Sequence, residues 1–281
     1  MDFHFREILR PMVPNFWTSP GEKSSRKFHG SVVSYKNNLH RPFEKTRHGS
    51  DEEMKKTQAQ VWAIVEALKE LYPEGICSLE YQKDYELLFS VRLAAQCTDE
   101  RVNKVTPALF ARFPTLESLA QADIGEVEEY IHSTGFFRAK ARDIVLASQM
   151  LLREYSGTVP DTMEDLLRLP GVGRKTANLI LGDVYHTPGV VVADTHCIRI
   201  SGLLGLTDGS KDPGKVEQQL RAILPPEESN DFCHRLVLHG RAVCIARRPQ
   251  CQSCTLRPWC DHFAKNGGEE PQKSEAKKAL E

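Results

Sequence analysis

The chain turns at Leu169-Pro-Gly-Val-Gly-Arg-Lys-Thr-Ala177, between two segments whose apolar residues recur with helical spacing. Its glycines, Gly171 and Gly173, permit positive φ and remove the Cβ atoms that would keep a ligand at a distance. Such a tight turn exposes backbone N–H groups, and the following helix directs its positive end to the same place. The segment therefore predicts a phosphate-binding hairpin between two helices. The alternative is a simple helix-turn-helix connection that carries an exposed lysine.

The segments around this turn are helical in pattern. Apolar residues recur at intervals of three and four along residues 61–68, 87–95 and 144–151. Helix N-caps are predicted at Thr115, at Thr162 (with Asp165 in a capping box) and at Asp212. Helix ends are predicted at Gly135, Gly157 and Gly240. Because no alternating strand pattern of useful length occurs, the sequence predicts an all-α protein.

Lys175 lies in the first turn of the helix predicted after the hairpin. The helix dipole disfavours a cation there and Arg174 adds a like charge, so both effects favour a neutral, nucleophilic amine. Asp194 follows nineteen residues later in Ala193-Asp-Thr-His196, which has the pattern of a helix N-cap. A carboxylate facing Lys175 would accept its proton or stabilise positive charge on a sugar. The two residues form a candidate catalytic pair, with N-capping as the alternative role of Asp194.

Four of the eight cysteines crowd into seventeen residues with the spacing C-x6-C-x2-C-x5-C; they are Cys244, Cys251, Cys254 and Cys260. Four thiolates suit either tetrahedral zinc or an iron–sulfur cube, and the single C-x2-C pair favours the cube only modestly. Two disulfides are the less favoured alternative. The remaining cysteines are isolated in sequence and are predicted to be small core residues; they are Cys77, Cys97, Cys197 and Cys233.

Charge is distributed unevenly along a nearly neutral chain, which has 37 Lys and Arg, 38 Asp and Glu, and a net charge of −1. That total gives no support to nucleic-acid binding. However, residues 51–135 carry 8 basic and 16 acidic side chains, whereas residues 232–260 carry five arginines and no acid. A local positive surface is therefore predicted beside the cysteines. Mean hydropathy is −0.42, and no apolar run reaches the ~18 residues that span a membrane.

Taken together, these segments resemble the endonuclease III branch of the helix-hairpin-helix DNA glycosylases. The resemblance covers residues 57–263 and joins the hairpin, Asp194-Thr-His196, Val237–Arg241 and the cysteine spacing in the family's order. It implies a two-domain all-α fold: a six-helix barrel at 77–187, which contains the hairpin, and an iron–sulfur cluster domain built from 54–76 and 188–264. Residues 1–53 are expected to be a poorly ordered extension and residues 265–281 a disordered tail.

The resemblance also implies roles for individual residues. Lys175 would attack C1′ of the damaged nucleotide and form a Schiff base, Asp194 would be the catalytic aspartate, and the four clustered cysteines would hold a [4Fe–4S] cluster. Gln96 would fill the gap left by a flipped nucleotide, and Phe136 would be an apolar wedge, where the family usually has leucine. The implied phosphate contacts come from Gly171 and Gly173 of the hairpin and from Arg247 and Arg248.

The implied function is base excision repair by a bifunctional DNA glycosylase and AP lyase. It would remove oxidised pyrimidines from double-stranded DNA carrying a damaged base or an abasic site, and nick the strand by β-elimination. We expect a monomer without membrane contact, in the bacterial cytoplasm with the nucleoid, or in a eukaryotic nucleus or mitochondrion. One alternative is a monofunctional adenine glycosylase, against which Lys175 and the short C-terminus argue. The other is a non-catalytic DNA-binding or electron-transfer protein, against which the pairing of Lys175 with Asp194 argues.

Overall fold

The structure, a computed structural model, describes residues 56–266, which are helices joined by short connections. No strand occurs in this range, so the all-α prediction is confirmed. The predicted extension at 1–53 lies outside the described residues. The predicted tail at 265–281 also lies outside them, except for residues 265 and 266, and Lys265 is the last residue of a helix. None of the described helices is long and apolar enough to cross a membrane.

Twelve α-helices follow one another through residues 56–266. They are α1 (Gln58–Leu71), α2 (Asp84–Ala94), α3 (Asp99–Arg112), α4 (Leu116–Ala120), α5 (Ile124–Ile131), α6 (Phe137–Tyr155), α7 (Met163–Arg168), α8 (Arg174–Asp183), α9 (Thr195–Leu204), α10 (Pro213–Ile223), α11 (Ser229–Ala242) and α12 (Asp261–Lys265). Short 3₁₀ helices occur at His132–Thr134, Pro226–Glu228, Cys251–Ser253 and Arg257–Trp259.

The first helix packs against α11, which lies in the C-terminal part of the described residues. It begins at a capping box, in which the Thr57 hydroxyl accepts a hydrogen bond from the Gln60 N–H and the Gln60 side chain accepts one from the Thr57 N–H. Its apolar stripe is buried against α11. Lys69 adds an ion pair with Glu228 at 2.8 Å. A helix from the start of the described range therefore completes the core around α9 and α11.

A second group of helices surrounds α6. Helices α4 and α5 pack along α6, while α2 contacts α3, α6 and α8. The apolar residues predicted to recur at three and four form these buried faces; they include Leu87, Leu88 and Val91 of α2 and Ile144, Val145 and Leu151 of α6. Helices α7 and α8 flank the hairpin and pack against each other. This packing holds the hairpin at the surface beside the end of α2.

Most of the predicted helix boundaries are confirmed. Thr115 and Asp212 cap α4 and α10, and Gly135 and Gly157 follow helix ends with positive φ. Thr162 caps α7, but the predicted capping box is incomplete. The Asp165 carboxylate accepts from the Thr162 hydroxyl at 2.9 Å rather than from its backbone N–H.

The helix end predicted at Gly240 is wrong, because Gly240 lies inside α11. A Cβ at this position would come within 2.3 Å of His196 Nδ1 and 3.0 Å of the Ile200 side chain. Gly240 is therefore a contact residue between α9 and α11, where the absence of a side chain allows the two helices to approach closely.

Gly182 has the same role between α8 and α11, and its replacement tests the packing. A Cβ in Gly182→Ala would lie 2.2 Å from Asn230 Oδ1, and Asn230 is held by its 2.7 Å hydrogen bond to Asp183. We expect the free energy of unfolding in urea to fall by about 1–3 kcal/mol through overpacking. The control Gly214→Ala lies at the exposed start of α10 and should change stability by about 1 kcal/mol or less, in the stabilising direction. Equal changes in the two variants would contradict this role.

Candidate active site and cysteine loop

Three of the predicted site residues line one cleft of about 370 Å³. Lys175 reaches it from the first turn of α8, Asp194 from the N-cap of α9, and Gln96 from the turn after α2. These positions are up to 98 residues apart in the chain, so the fold and not local sequence brings them together. Phe136 is not part of the cleft wall.

The hairpin presents backbone amides at its surface. Gly171 has φ +76°, and a Cβ there would lie 2.6 Å from Arg92 Nε, so both conformation and space require glycine. Gly173 does not use the positive φ that glycine permits, since its φ is −107° and it forms the N-cap of α8. No side chain caps α8, and no atom lies within 4 Å of a Cβ built on Gly173. The first-turn N–H groups of α8 therefore face open space, as an anion site requires.

Arg174 points away from the cleft into a two-bond ion pair. Its Nε and Nη2 donate to the buried Glu217 carboxylate at 2.7 and 2.8 Å. The positive charge of Arg174 is thus compensated by the Glu217 carboxylate. The Lys175 side chain itself is exposed at the cleft.

Asp194 is held in place by the start of α9 and by a buried segment before it. Its Oδ1 accepts a hydrogen bond from the Cys197 N–H at 2.7 Å, the N-cap bond that the sequence predicted. The preceding residues 190–193 are buried. Asn178 of α8 donates from Nδ2 to the Val191 carbonyl at 3.0 Å. This bond ties the segment that carries Asp194 to the helix that carries Lys175.

Asp99 and Arg241 also line the cleft. No role was predicted for Asp99, and Arg241 was predicted only to be part of the positive surface. The Ser78 hydroxyl donates to Asp99 Oδ2 at 2.5 Å and Arg241 Nη2 donates to it at 2.7 Å. Burial opposes ionisation of Asp99, but these two bonds, with the charges of Arg241 and Lys175, lower its pKa below the ordinary value. Arg241 lies in Val237–Arg241, which carries the family resemblance, and Asp99 lies three residues after Gln96, to which the resemblance assigns a role; these positions are the signal that could have found them.

His196 is the other group of the cleft wall without a predicted role. Its Nδ1 is buried and has no hydrogen-bond partner among the described residues. Burial lowers the pKa of His196, and the positive charges of Arg199 and Arg241 act in the same direction while Asp194 opposes them. The imidazole beside Asp194 is therefore neutral near pH 7.

Gln96 and Phe136 share an uncommon backbone conformation. Gln96 has φ +56° and Phe136 has φ +49°, the left-handed region that residues other than glycine rarely occupy. Phe136 is also 69% exposed, which is unusual for a large apolar side chain. Strain of this kind costs about 1–3 kcal/mol and concentrates at functional sites.

The predicted local excess of five positive charges is too large. Arg235 is buried and pairs with Glu228 and Asp231, and Arg241 pairs with Asp99. Arg247 and Arg248 are exposed and form no ion pair with the residues that the structure describes. The positive surface beside the cysteines is therefore concentrated at these two arginines and Arg257, because acids outside the segment neutralise the others.

The four clustered cysteines surround one small cavity of about 30 Å³. All four are free thiols, so the alternative of two disulfides among these cysteines is wrong. Arg199 Nη1 donates to Cys244 Sγ at 3.4 Å, and His239 Nε2 lies 3.5 Å from Cys254 Sγ. Burial raises the pKa of both thiols. Within residues 56–266, no three His, Cys, Asp or Glu side chains are grouped closely enough for a single metal ion.

The other four cysteines divide into two pairs. Cys197 and Cys233 are buried in the core, as predicted, but they are not isolated, since their Sγ atoms lie 3.9 Å apart. Cys77 and Cys97 are only partly buried and lie in the wall of the cleft. Both side chains also pack against the hydrophobic core, so the predicted core position holds in part and the cleft exposes the remainder.

Comparison with known proteins places this geometry in a family. Residues 89–226 match the family described as HhH-GPD superfamily base excision DNA repair protein. The chain is 49% identical to an endonuclease III of Synechocystis over 197 residues, which cover 70% of this chain and 90% of the relative. It is 38% identical to the Haemophilus influenzae endonuclease III over 202 residues, covering 72% and 95%.

A solved structure agrees with these relatives. An endonuclease III trapped in a covalent intermediate with DNA is 37% identical and superposes with a TM-score of 0.71, over 75% of this chain and 99% of that one. The resemblance found from the hairpin, the aspartate segment and the cysteine spacing is confirmed. The chain belongs to the endonuclease III family, within the HhH-GPD superfamily of base excision DNA repair proteins.

Proposed function

We propose that this protein is a bifunctional DNA glycosylase and AP lyase that removes oxidised pyrimidines and nicks the strand. The observation that carries the proposal is the shared cleft of Lys175 and Asp194, which places an amine and a carboxylate at one opening. A monofunctional adenine glycosylase has no use for an exposed lysine at this position. The covalent DNA complex of a relative supports lyase chemistry for this chain.

Lys175 would act as the nucleophile. The lone pair of its neutral Nζ forms a bond to C1′ while the bond from C1′ to the base breaks, and the base leaves with that electron pair and gains a proton. Opening of the sugar ring then gives a C1′=Nζ Schiff base. Loss of a proton from C2′ expels the 3′ phosphate oxygen, which nicks the strand, and water releases the lysine.

Asp194 would supply the negative charge that this sequence of steps requires. Its carboxylate takes the proton from the Lys175 ammonium, or stabilises the positive sugar as the base departs. The carboxylate oxygen Oδ1 accepts the N-cap hydrogen bond of α9, and this bond fixes the orientation of the second oxygen toward the cleft. Asp99 is engaged by Ser78 and Arg241 and remains ionised, so its role is to attract the lysine side chain and not to transfer protons.

DNA would bind across the cleft between two lobes, residues 77–187 and residues 54–76 with 188–264. The open amides at Gly171 and Gly173 would hold a phosphate, and Arg247 and Arg248 would hold phosphates on the other lobe. Gln96 and Phe136 would enter the duplex as the damaged nucleotide leaves it. We infer that one copy of the chain suffices, and that it acts in the compartment that holds the DNA.

Cys244, Cys251, Cys254 and Cys260 would hold a [4Fe–4S] cluster. Four soft thiolates around one cavity fit this group. When bound, the cluster would crosslink the loop that carries Arg247 and Arg248. The chemistry at C1′ would not pass through it.

Borohydride trapping tests the proposed function. Mixed with a duplex carrying an oxidised pyrimidine, or an abasic site, the protein should form a covalent adduct on reduction. Lys175→Gln should form none and should nick abasic DNA slower by a factor on the order of 10³ or more, because the nucleophile is gone. Lys104→Gln, which removes an exposed lysine paired with Glu100 on α3, should trap normally. Failure of the unaltered chain to trap on both duplexes would overturn the lyase assignment.

Asp194→Asn separates the charge of Asp194 from its capping role. Asparagine caps a helix as well as aspartate, so thermal unfolding should show a stability change of about 0.5 kcal/mol or less. The single-turnover rate of base release should fall by about 10² to 10⁴. The matched variant Asp212→Asn replaces the N-cap of α10 and should leave both quantities unchanged. An active Asp194→Asn protein would show that the carboxylate only caps α9.

Metal analysis tests the cysteine loop. Protein purified without oxygen should be brown and should contain about four irons per chain, and iron chelation should remove the colour. Cys254→Ser should lose the iron, whereas Cys77→Ser, outside the loop, should retain it. A colourless protein with one zinc per chain would contradict the proposed cluster.

A further inference from the structure

Lys140 is a buried lysine that the proposed chemistry does not use. It lies in the first turn of α6, and its side chain has no exposed surface. Among the described residues it forms no ion pair with a carboxylate. Its Nζ instead donates to two backbone carbonyls, Leu93 O and Thr134 O, each at 2.8 Å. A fully buried ammonium is costly unless its donors are satisfied, so its presence calls for a reason.

The two carbonyls belong to the segments that carry the left-handed residues Gln96 and Phe136. Leu93 lies in the last turn of α2, three residues before Gln96. Thr134 ends the 3₁₀ helix His132–Thr134, two residues before Phe136. One side chain therefore connects the two turns that hold Gln96 at φ +56° and Phe136 at φ +49°. These turns are 40 residues apart in the chain.

The electrostatics of the contact are favourable without a counter-ion. Both carbonyls lie at helix C-termini, where backbone carbonyls lack intrahelical partners and the helix dipole is negative. The Lys140 ammonium thus donates to carbonyl groups at the C-terminal ends of two helices. The neighbouring pair of Arg92 and Asp143 at 2.7 Å joins the same two helices, α2 and α6, one turn further along α6.

We propose that Lys140 is a positioning residue that holds the turns of Gln96 and Phe136 at a fixed separation, so that both side chains enter the DNA duplex together. The inference rests on the insertion roles given to these residues in the proposed function. Without the ammonium, each turn would be free to relax out of its left-handed conformation. The lysine acts through Gln96 and Phe136, and it touches neither the substrate nor Lys175.

The test compares duplex and single-stranded substrates for Lys140→Met, Lys140→Gln and the unaltered chain. Insertion matters only in a duplex, where an orphaned base and its neighbours must be supported. Lys140→Met should lower kcat/KM on a damaged duplex by about 10- to 100-fold, the cost of about 1 Å of misplacement. Borohydride trapping on single-stranded abasic DNA should change less than about twofold. Lys140→Gln has an amide group that can still donate to the two carbonyls, so it should retain more duplex activity than Lys140→Met. If the methionine variant does not fold, the same comparison is made with Lys140→Gln.

Fluorescence supplies a readout that altered stability alone would not move. 2-Aminopurine placed next to the lesion should brighten when Phe136 disrupts its stacking, and this signal should be reduced in Lys140→Met. Lys83→Met is the matched control, since Lys83 also donates to a backbone carbonyl, Pro114 O at 2.6 Å, but at the opposite end of α2. It should leave the signal and the duplex activity unchanged.

A double-mutant cycle with Phe136→Ala distinguishes failure of the positioning role of Lys140 from failure of the insertion role of Phe136. If Lys140 acts through the insertion turns, the losses caused by Lys140→Met and Phe136→Ala will be non-additive. Additive losses, or equal losses on duplex and single-stranded DNA, would overturn the positioning role. If Phe136→Ala retains full duplex activity, the insertion assignment is wrong and the role of Lys140 falls with it. Trapping by Lys175 would be unaffected in that case.

Discussion

One buried hydrogen bond underlies the geometry of the cleft. Asn178 of α8 donates to the Val191 carbonyl at 3.0 Å, in the apolar segment that leads to Asp194. The segment is buried on α8, and α9 begins directly after it. Two helix N-termini therefore open toward the same cleft, one bearing the lysine in its first turn and the other bearing the aspartate as its cap. The buried side-chain amide of Asn178 thus fixes the position of Asp194 relative to Lys175 in the cleft.

Much of this arrangement is local enough to be predicted. The N-cap pattern identified Asp194, glycine spacing identified the hairpin, and the periodicity of α1, α2 and α6 identified the buried faces. These signals operate over one or two helical turns, where sequence and conformation are directly coupled. The cysteine spacing is equally local, because all four thiols lie within a single loop.

What could not be predicted depends on partners distant in the chain. Arg241 was counted among unpaired positive charges, but Asp99 of α3, 142 residues earlier in the chain, accepts a hydrogen bond from it at 2.7 Å. Gly240 was read as a helix end because nothing nearby in sequence shows that His196 packs against it. In each case a contact from another helix determines the outcome, and that contact has no signature in the residue's own neighbourhood.

The packing of α1 against α11 has a consequence for how the chain is made. About 160 residues separate the two helices. During synthesis the apolar face of α1 therefore remains exposed until α11 has emerged, when nearly all of the described chain has been made. The helices from α2 to α8 find their partners within a shorter span and are free to assemble first. The cysteine loop follows α11 in the chain, so its four thiols emerge after both of these helices. The order of residues along the chain thus imposes an order of assembly, with the cysteine loop the later part to be completed.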